Sequence, residues 1–336
     1  EQYRFDYEDD RTTVTDAYGN THVHHYDEEL RLIQLDYPDG TSEQFEYDGD
    51  QNRTGYTDQA GAQWQWTYDD QGNRLTADGP LGWHRDWVYN DRHQVTQMTE
   101  KVTAHKERSS SFAYDDHGNL IEFCNAVNDC GTVSYDDRGL PLQMVDFNGH
   151  ATAHVYDTEG DLISVTDPEG AVTRFEHDGL GRIIGKTKPL GNAYQYTYDA
   201  NSNLIAVDGP LGFRLDYSYD ANNNLVESVD PNGGRVNYTW TPSDKMAAVY
   251  NQLGFVTSFD YGLMNERTGK TDPEGRAWTY EYNNMLRVTD INGPLGYHQG
   301  LVYNALGMVT DAEDAEGRVK HVEYDALGRP VSITHN

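Results

Sequence analysis

The sequence predicts an all-β chain of tandem hairpins, on three observations. Tyr-Asp recurs every 21 residues, a glycine recurs 14 residues after it, and the residues just before each Tyr alternate aromatic with polar. Two turn signals in 21 residues leave two segments of about five or six residues each, the common strand length. No stretch has the 3.6-residue period of an amphipathic helix. Each repeat therefore reads as one antiparallel hairpin.

Taken in order, each repeat has a first strand, an anchor, a first turn, a second strand and a second turn. The anchors are Tyr26, Tyr47, Tyr68 and Tyr89, then, after one step four residues longer, Tyr114, Tyr135, Tyr156, Tyr198, Tyr219, Tyr261, Tyr282, Tyr303 and Tyr324, with His177 and Trp240 in the same phase. Before the anchor, Trp64, Trp66 and Tyr68 alternate with Gln65 and Thr67, and Tyr194, Tyr196 and Tyr198 with Gln195 and Thr197, which puts the aromatics on one face of a strand. After it come turn residues such as Asp69-Asp70-Gln71-Gly72-Asn73, with Asn223 replacing the glycine in one copy, as left-handed tolerance allows. The second strand is short and β-branched, as in Leu162-Ile163-Ser164-Val165-Thr166. The second turn carries Gly40, Gly61, Gly82, Gly149, Gly170, Gly191, Gly212, Gly233, Gly254, Gly275, Gly296 and Gly317, a column that implies positive φ or a close backbone approach.

About 15 such repeats fill residues 1–336 as a single array. Roughly 30 strands at about 4.8 Å spacing make a ribbon too long to stay flat, and because sheets twist and coil it is expected to curl into a curved wall, polar on one face. In-phase aromatics supply same-face ladders between hairpins. The longer step, residues 99–112, contains Lys101, His105, Lys106, Glu107 and Arg108 and reads as a protruding loop. Both ends of such a ribbon present unpaired strand edges, so edge-to-edge self-association is expected.

Composition narrows the function. With 25 Lys+Arg against 56 Asp+Glu the chain carries −31, which argues against nucleic acid and anionic membrane surfaces as partners. Hydrophobic residues make up only 36%, yet 25 Tyr, 6 Trp and 9 Phe mark a folded chain around a thin core. No apolar run approaches the roughly 18 residues of a membrane span. The opening Glu1-Gln2-Tyr3-Arg4 is expected to continue a longer polypeptide.

Motifs that suggest chemistry all fall on the repeat. Asp199-Ala200-Asn201-Ser202-Asn203 and Asp220-Ala221-Asn222-Asn223-Asn224 resemble the start of a calcium loop, but Pro210 and Pro231 stand where the bidentate glutamate belongs. His22 and His24 occupy aromatic positions before Tyr26, which reads as substitution for aromatics rather than a zinc pair. Gly179-Leu180-Gly181-Arg182 is a first turn, not a phosphate loop. No nucleophile elbow, metalloprotease helix or converging carboxylate pair occurs, so no catalytic residue, metal or cofactor is expected. Cys124 and Cys130 flank a second turn that has Asn128 in place of glycine. Two readings stand: a cross-strand disulfide, implying maturation outside a reducing cytoplasm, or two reduced, packed thiols.

Copies such as Tyr156-Asp157-Thr158-Glu159-Gly160-Asp161-Leu162, continuing to Thr166-Asp167-Pro168-Glu169-Gly170, resemble the YD repeats of RHS proteins over nearly the whole chain. That resemblance implies a spiralling, hollow β-sheet shell. Bacterial RHS polymorphic toxins and Tc toxin components wrap such a shell around a C-terminal toxin domain, and teneurins use a related one for adhesion. It further implies a self-cleaving core segment with an Asp-Pro-rich motif, which this sequence does not contain. Asp167-Pro168, Asp230-Pro231 and Asp272-Pro273 all sit at the second turn instead. The expected function is a non-catalytic stretch of shell wall that encloses and helps deliver a toxin. Its partners would be that cargo and the remaining shell repeats, with secretion-apparatus proteins, cell-surface proteins or glycans also open. Its expected location is secreted, or cell-surface and delivered by a bacterial secretion system. The alternative is a surface adhesion module that binds carbohydrate or protein.

Overall fold

The computed structural model describes residues 3–103 and 106–336. These residues form 32 strands and three single-turn 3-10 segments, with no α-helix among them. The strands make one antiparallel sheet in which strands adjacent in sequence pair with each other, as Ser42–Tyr47 pairs with Arg53–Thr57 and that strand with Gln63–Tyr68. No helix among the described residues is long and apolar enough to cross a membrane.

Except at Pro80–Gly82, Pro210–Gly212 and Pro294–Gly296, where the residue before the glycine is left-handed as well, both turns of the repeat use the same local solution. In the first turn Asp48 N donates to Asn52 O at 3.0 Å and Gln51 N to Asp48 O at 3.3 Å. In the second, Tyr37 N donates to Thr41 O at 2.9 Å and Gly40 N to Tyr37 O at 3.0 Å. Each is a type I turn closed by one left-handed residue, a common three-residue hairpin loop. The twelve second-turn glycines have φ between 73° and 84°. The Asp-Pro turns follow suit: Gly170 N donates to Asp167 O at 2.9 Å, and Ala171 N to Asp167 Oδ1 at 2.8 Å.

At the anchor the register slips by one. Glu46 faces Gly55 but Tyr47 faces Arg53, and the same step recurs at Tyr68, Tyr135, Tyr198 and Tyr282. Two residues opposing one is a β-bulge, which bends the strand and sharpens its twist.

The longer step is a correction to the expected loop. Among the described residues it extends two paired strands, Val95–Thr103 and Lys106–Tyr114, to nine residues each. Glu100 faces Arg108, Lys101 faces Glu107, and the Thr99 and Ser109 hydroxyls bond at 2.9 Å. Opposite charges and hydroxyls placed across the strands stabilise pairing where a loop would leave the backbone to water. His105 lies outside the described residues.

The side chains divide between two compact units. One comprises Glu1–Asp86, Thr241–Ala248 and Phe255–Asn336, the other Trp87–Trp240 and Val249–Gly254. In both, the alternation expected from sequence is visible: Gln63–Tyr68 and Ala193–Tyr198 each bury alternate residues partly and expose the others. Among the described residues, the buried apolar ones are Ala77, Cys124, Ala206, Val207 and Ala248. The accessible surface is 20564 Å², against about 14,000 Å² for a compact chain of this mass. A sheet with so little covered apolar surface must be held by its hydrogen-bond ladder and by contacts between neighbouring hairpins.

Candidate functional site: the joint between repeats

Those contacts are concentrated at the anchors. A tyrosine two residues after another aromatic position on a strand reaches along the half-covered face toward the preceding hairpin. Its hydroxyl donates to the backbone carbonyl 15 residues earlier: Tyr47 to Leu32 O at 3.0 Å, Tyr68 to Arg53 O at 2.8 Å, Tyr135 to Leu120 O at 2.9 Å, Tyr198 to Ile183 O at 3.0 Å and Tyr219 to Leu204 O at 3.0 Å. Tyr261, Tyr282, Tyr303 and Tyr324 repeat this toward Met246, Arg267, Val288 and Val309. Tyr114 reaches Val95 O, 19 residues back, across the lengthened hairpin. Trp240 uses its indole N–H instead, donating to Leu225 O at 2.8 Å. The acceptor is the first residue of a strand beside the bulge, where the ladder is locally disrupted. The anchor thus ties one hairpin to the next at its weakest backbone position.

The aspartate after the anchor closes the first turn. Asp199 Oδ1 accepts from Asn201 N at 2.9 Å and Asn203 N at 2.8 Å, while Oδ2 accepts from Asn203 Nδ2 at 3.0 Å. The calcium-like Asp-x-Asn-x-Asn spacing is this turn, its carboxylate occupied by the turn's own donors. Such bonds favour the charged form. The Asn52 side-chain amide holds the Asp48 carboxyl below the usual range, and the Asn119 and Arg182 side chains do the same for Asp115 and Asp178.

A second tie was not legible from sequence. Arg31, four residues after Asp27, bonds its carboxylate at 2.7 Å and extends Nη1 to Asp48 O of the next first turn at 3.0 Å. Arg138 reaches Asp157 O at 2.8 Å, and Gln94 reaches Gly118 O at 2.8 Å. Of these three, Asp-x-x-x-Arg describes Arg31 alone, since Arg138 stands two residues after Asp136 and Gln94 four after Asn90, so no single spacing marks this tie.

The aromatic faces are covered by neighbours. Arg53 lies 4.8 Å over Trp66, Arg182 4.8 Å over Tyr198 and Lys270 5.0 Å over Trp278. Trp64 meets Trp83 edge-on at 5.5 Å, and Phe45 packs on Tyr56 at 5.5 Å. Much of the chain's small stock of cations is thus spent on aromatic rings and first-turn carbonyls.

The histidines act locally. His22 packs edge-on against Tyr37 at 5.5 Å, and burial pushes its imidazole below its ordinary pKa. His25 Nε2 bonds Asp36 Oδ2 at 2.8 Å from the opposite face. Cys124 and Cys130 face each other across their strands and are joined by a disulfide. Glu122 lies beside these sulfurs, but bonded sulfurs offer no thiolate for a metal.

A family model described as RHS Repeat matches residues 156–193, 178–214, 198–235 and 303–336, together about a third of the chain. Those residues carry RHS repeats. No curated protein matches the sequence. Among solved structures, the RHS-repeat sheet resembles the crystal structure of TcdB2-TccC3-Cdc42, at 12% identity and a TM-score of 0.63, covering 96% of this chain and 21% of that one. It also resembles a Tc holotoxin pore from Photorhabdus luminescens, at 13% identity and a TM-score of 0.66, covering 99% of this chain and 23% of that one. At such identity the likeness is one of fold, and this chain spans less than a quarter of either.

Proposed function

We propose that this RHS-repeat sheet is a non-catalytic stretch of shell wall that encloses a toxin domain and helps deliver it. The observation that carries the reading is the joint. Anchor hydroxyl, first-turn carboxylate and turn-bridging arginine are satisfied by the chain's own backbone and side chains, repeat after repeat, so the repeated polar groups serve to hold hairpins together. The fold shared with Tc toxin structures supports the same reading. Aromatic faces capped by Arg and Lys favour a wall over a sugar-stacking groove. The disulfide fits secretion or delivery out of a reducing compartment. Within the proposal the array is one wall segment, its further partners the rest of the shell and the cargo.

The test is limited proteolysis of the native full-length polypeptide, read by mass spectrometry. A wall predicts that the cargo domain is cleaved far more slowly inside the intact protein than when expressed alone. Equal cleavage rates would refute encapsulation.

A further inference from the structure

Three departures from the repeat converge on one contact inside the first unit. From Tyr26 to Tyr324 the residue after the anchor is Asp, Asn or Thr, whose side chain closes the first turn, as at Asp48, Thr241 and Asn283. After Tyr261 alone it is glycine, Gly262. Four residues on stands Glu266, at a position where no other of these turns has glutamate. Tyr18 is the third departure: it precedes Gly19 in the second turn that Asp16 N closes on Asn20 O, and none of the twelve second-turn glycines named above follows a tyrosine.

Leu263 N donates to the Tyr18 hydroxyl at 2.9 Å, and that hydroxyl donates to the Glu266 carboxylate, 248 residues away. Glu266 Oε2 also accepts from Met264 N at 3.0 Å, the amide that the aspartate after the anchor takes in an ordinary first turn, as Asp199 takes Asn201 N. Glu266 thus closes its turn in place of the missing aspartate and turns its other oxygen to Tyr18. Gly262 lies outside the left-handed region, so its backbone does not call for glycine. The space does, because a Cβ there would overlap the Glu266 carboxylate and the Tyr18 hydroxyl. One repeat on in both segments, Asn284 Nδ2 donates to Pro38 O at 2.7 Å. Each of these long-range bonds has a side chain on at least one end, so none belongs to the strand ladder.

We propose that the notch made by Gly262, the Leu263 amide and Glu266 is a binding site for a tyrosyl side chain, and that Tyr18 in it is the catch that holds residues 16–38 against residues 262–284. The notch offers one donor and one acceptor to a single oxygen. A phenol hydroxyl answers both. Phenylalanine answers neither, and lysine cannot accept from Leu263 N. A tandem repeat makes neighbouring turns interchangeable, so choosing one pair of turns needs a contact that the other pairs cannot make. Shifted by one repeat, the Tyr18 tip would meet Thr241 or Asn283, whose side chain begins where the notch should be. The catch therefore fixes which first turn the second turn at 16–19 meets.

Amide exchange of the full chain at neutral pH, followed by NMR, tests this. Tyr18→Phe removes one hydroxyl from an exposed tip. The Leu263 amide should then exchange about tenfold faster than in the wild type, as expected for the loss of one hydrogen bond supported by a charge. The Asn284 side-chain amide resonance should move to its solvent-exposed position as the catch releases. Gly262→Asp, which restores the residue of the ordinary turn, should free Tyr18 in the same way while Met264 N keeps a carboxylate partner. In both variants the amides of Arg11–Thr15 and Arg267–Thr271 should exchange as in the wild type, because the ladder is untouched. Leu263 exchange unchanged in Tyr18→Phe, an Asn284 resonance that does not respond, or a Gly262→Asp chain that still protects Leu263 as the wild type does would each overturn the proposal. The inference does not depend on what the sheet encloses, so its failure leaves the shell-wall reading intact.

Discussion

The joints at Tyr198 and His177 lie one repeat apart in the same unit and differ in what the anchor can reach. Tyr198 donates to Ile183 O at 3.0 Å and its ring lies under Arg182. His177 occupies the same phase and pairs with Ile183 across the same kind of bulge, but its Nδ1 is buried without a hydrogen-bond partner. The ring alone fills the anchor position, and only the hydroxyl makes the tie. An imidazole is too short to carry a donor to the carbonyl of the preceding hairpin, and it leaves a polar atom desolvated instead.

Acid treatment should give the largest effect and strike both joints alike. The carboxyls of Asp178 and Asp199 are held low by the side chains of Arg182 and Asn203 respectively. A folded-state pKa below the unfolded one contributes stability that is present above the unfolded value and lost as pH falls through the folded one. Thermal melts followed by circular dichroism should therefore fall steeply below about pH 4, and a melting temperature at pH 3 equal to that at pH 7 would refute the role given to these turns. Next in size, Tyr198→Ala should cost about 2–3 kcal/mol by urea denaturation, and His177→Ala clearly less, because it removes no tie. Equal losses would erase the contrast between the joints. Smaller still, Tyr198→Phe should cost about 1 kcal/mol while His177→Tyr should gain a similar amount, which isolates the hydroxyl. The smallest effect concerns the turn. Leu30 is 73% exposed at φ 61°, so Leu30→Gly should stabilise by about 0.5–1 kcal/mol, and a loss would mean that the side chain makes contacts beyond its turn.

Much of the fold is legible because it is local. The glycine column reports a backbone angle, Tyr-Asp reports a turn whose carboxylate bonds residues two and four positions on, and alternation reports a face. All three lie within one 21-residue unit. The bulge was not legible: one strand gains a residue without any change in composition, and the first turn hides it. The turn-bridging arginines were missed because their acceptors are backbone carbonyls, which carry no residue signature. The extra residues before Tyr114 looked like loop because Lys, Glu, Arg and Ser are poor strand formers singly, whereas across the hairpin their charges and hydroxyls match.

What the sequence determined by itself is the period, the turn positions, the covered face of each strand and the fold class, since each depends on φ preferences and hydrogen bonds closed within a few residues. Tertiary structure alone decided which carbonyl receives each anchor, that Cys124 and Cys130 are bonded, and that Tyr18 meets Glu266. The first two depend on the bulge and the register of adjacent strands; the third depends on twist accumulated over many hairpins, and a repeat that specifies each step locally does not state where the sum of the steps will bring two distant turns together.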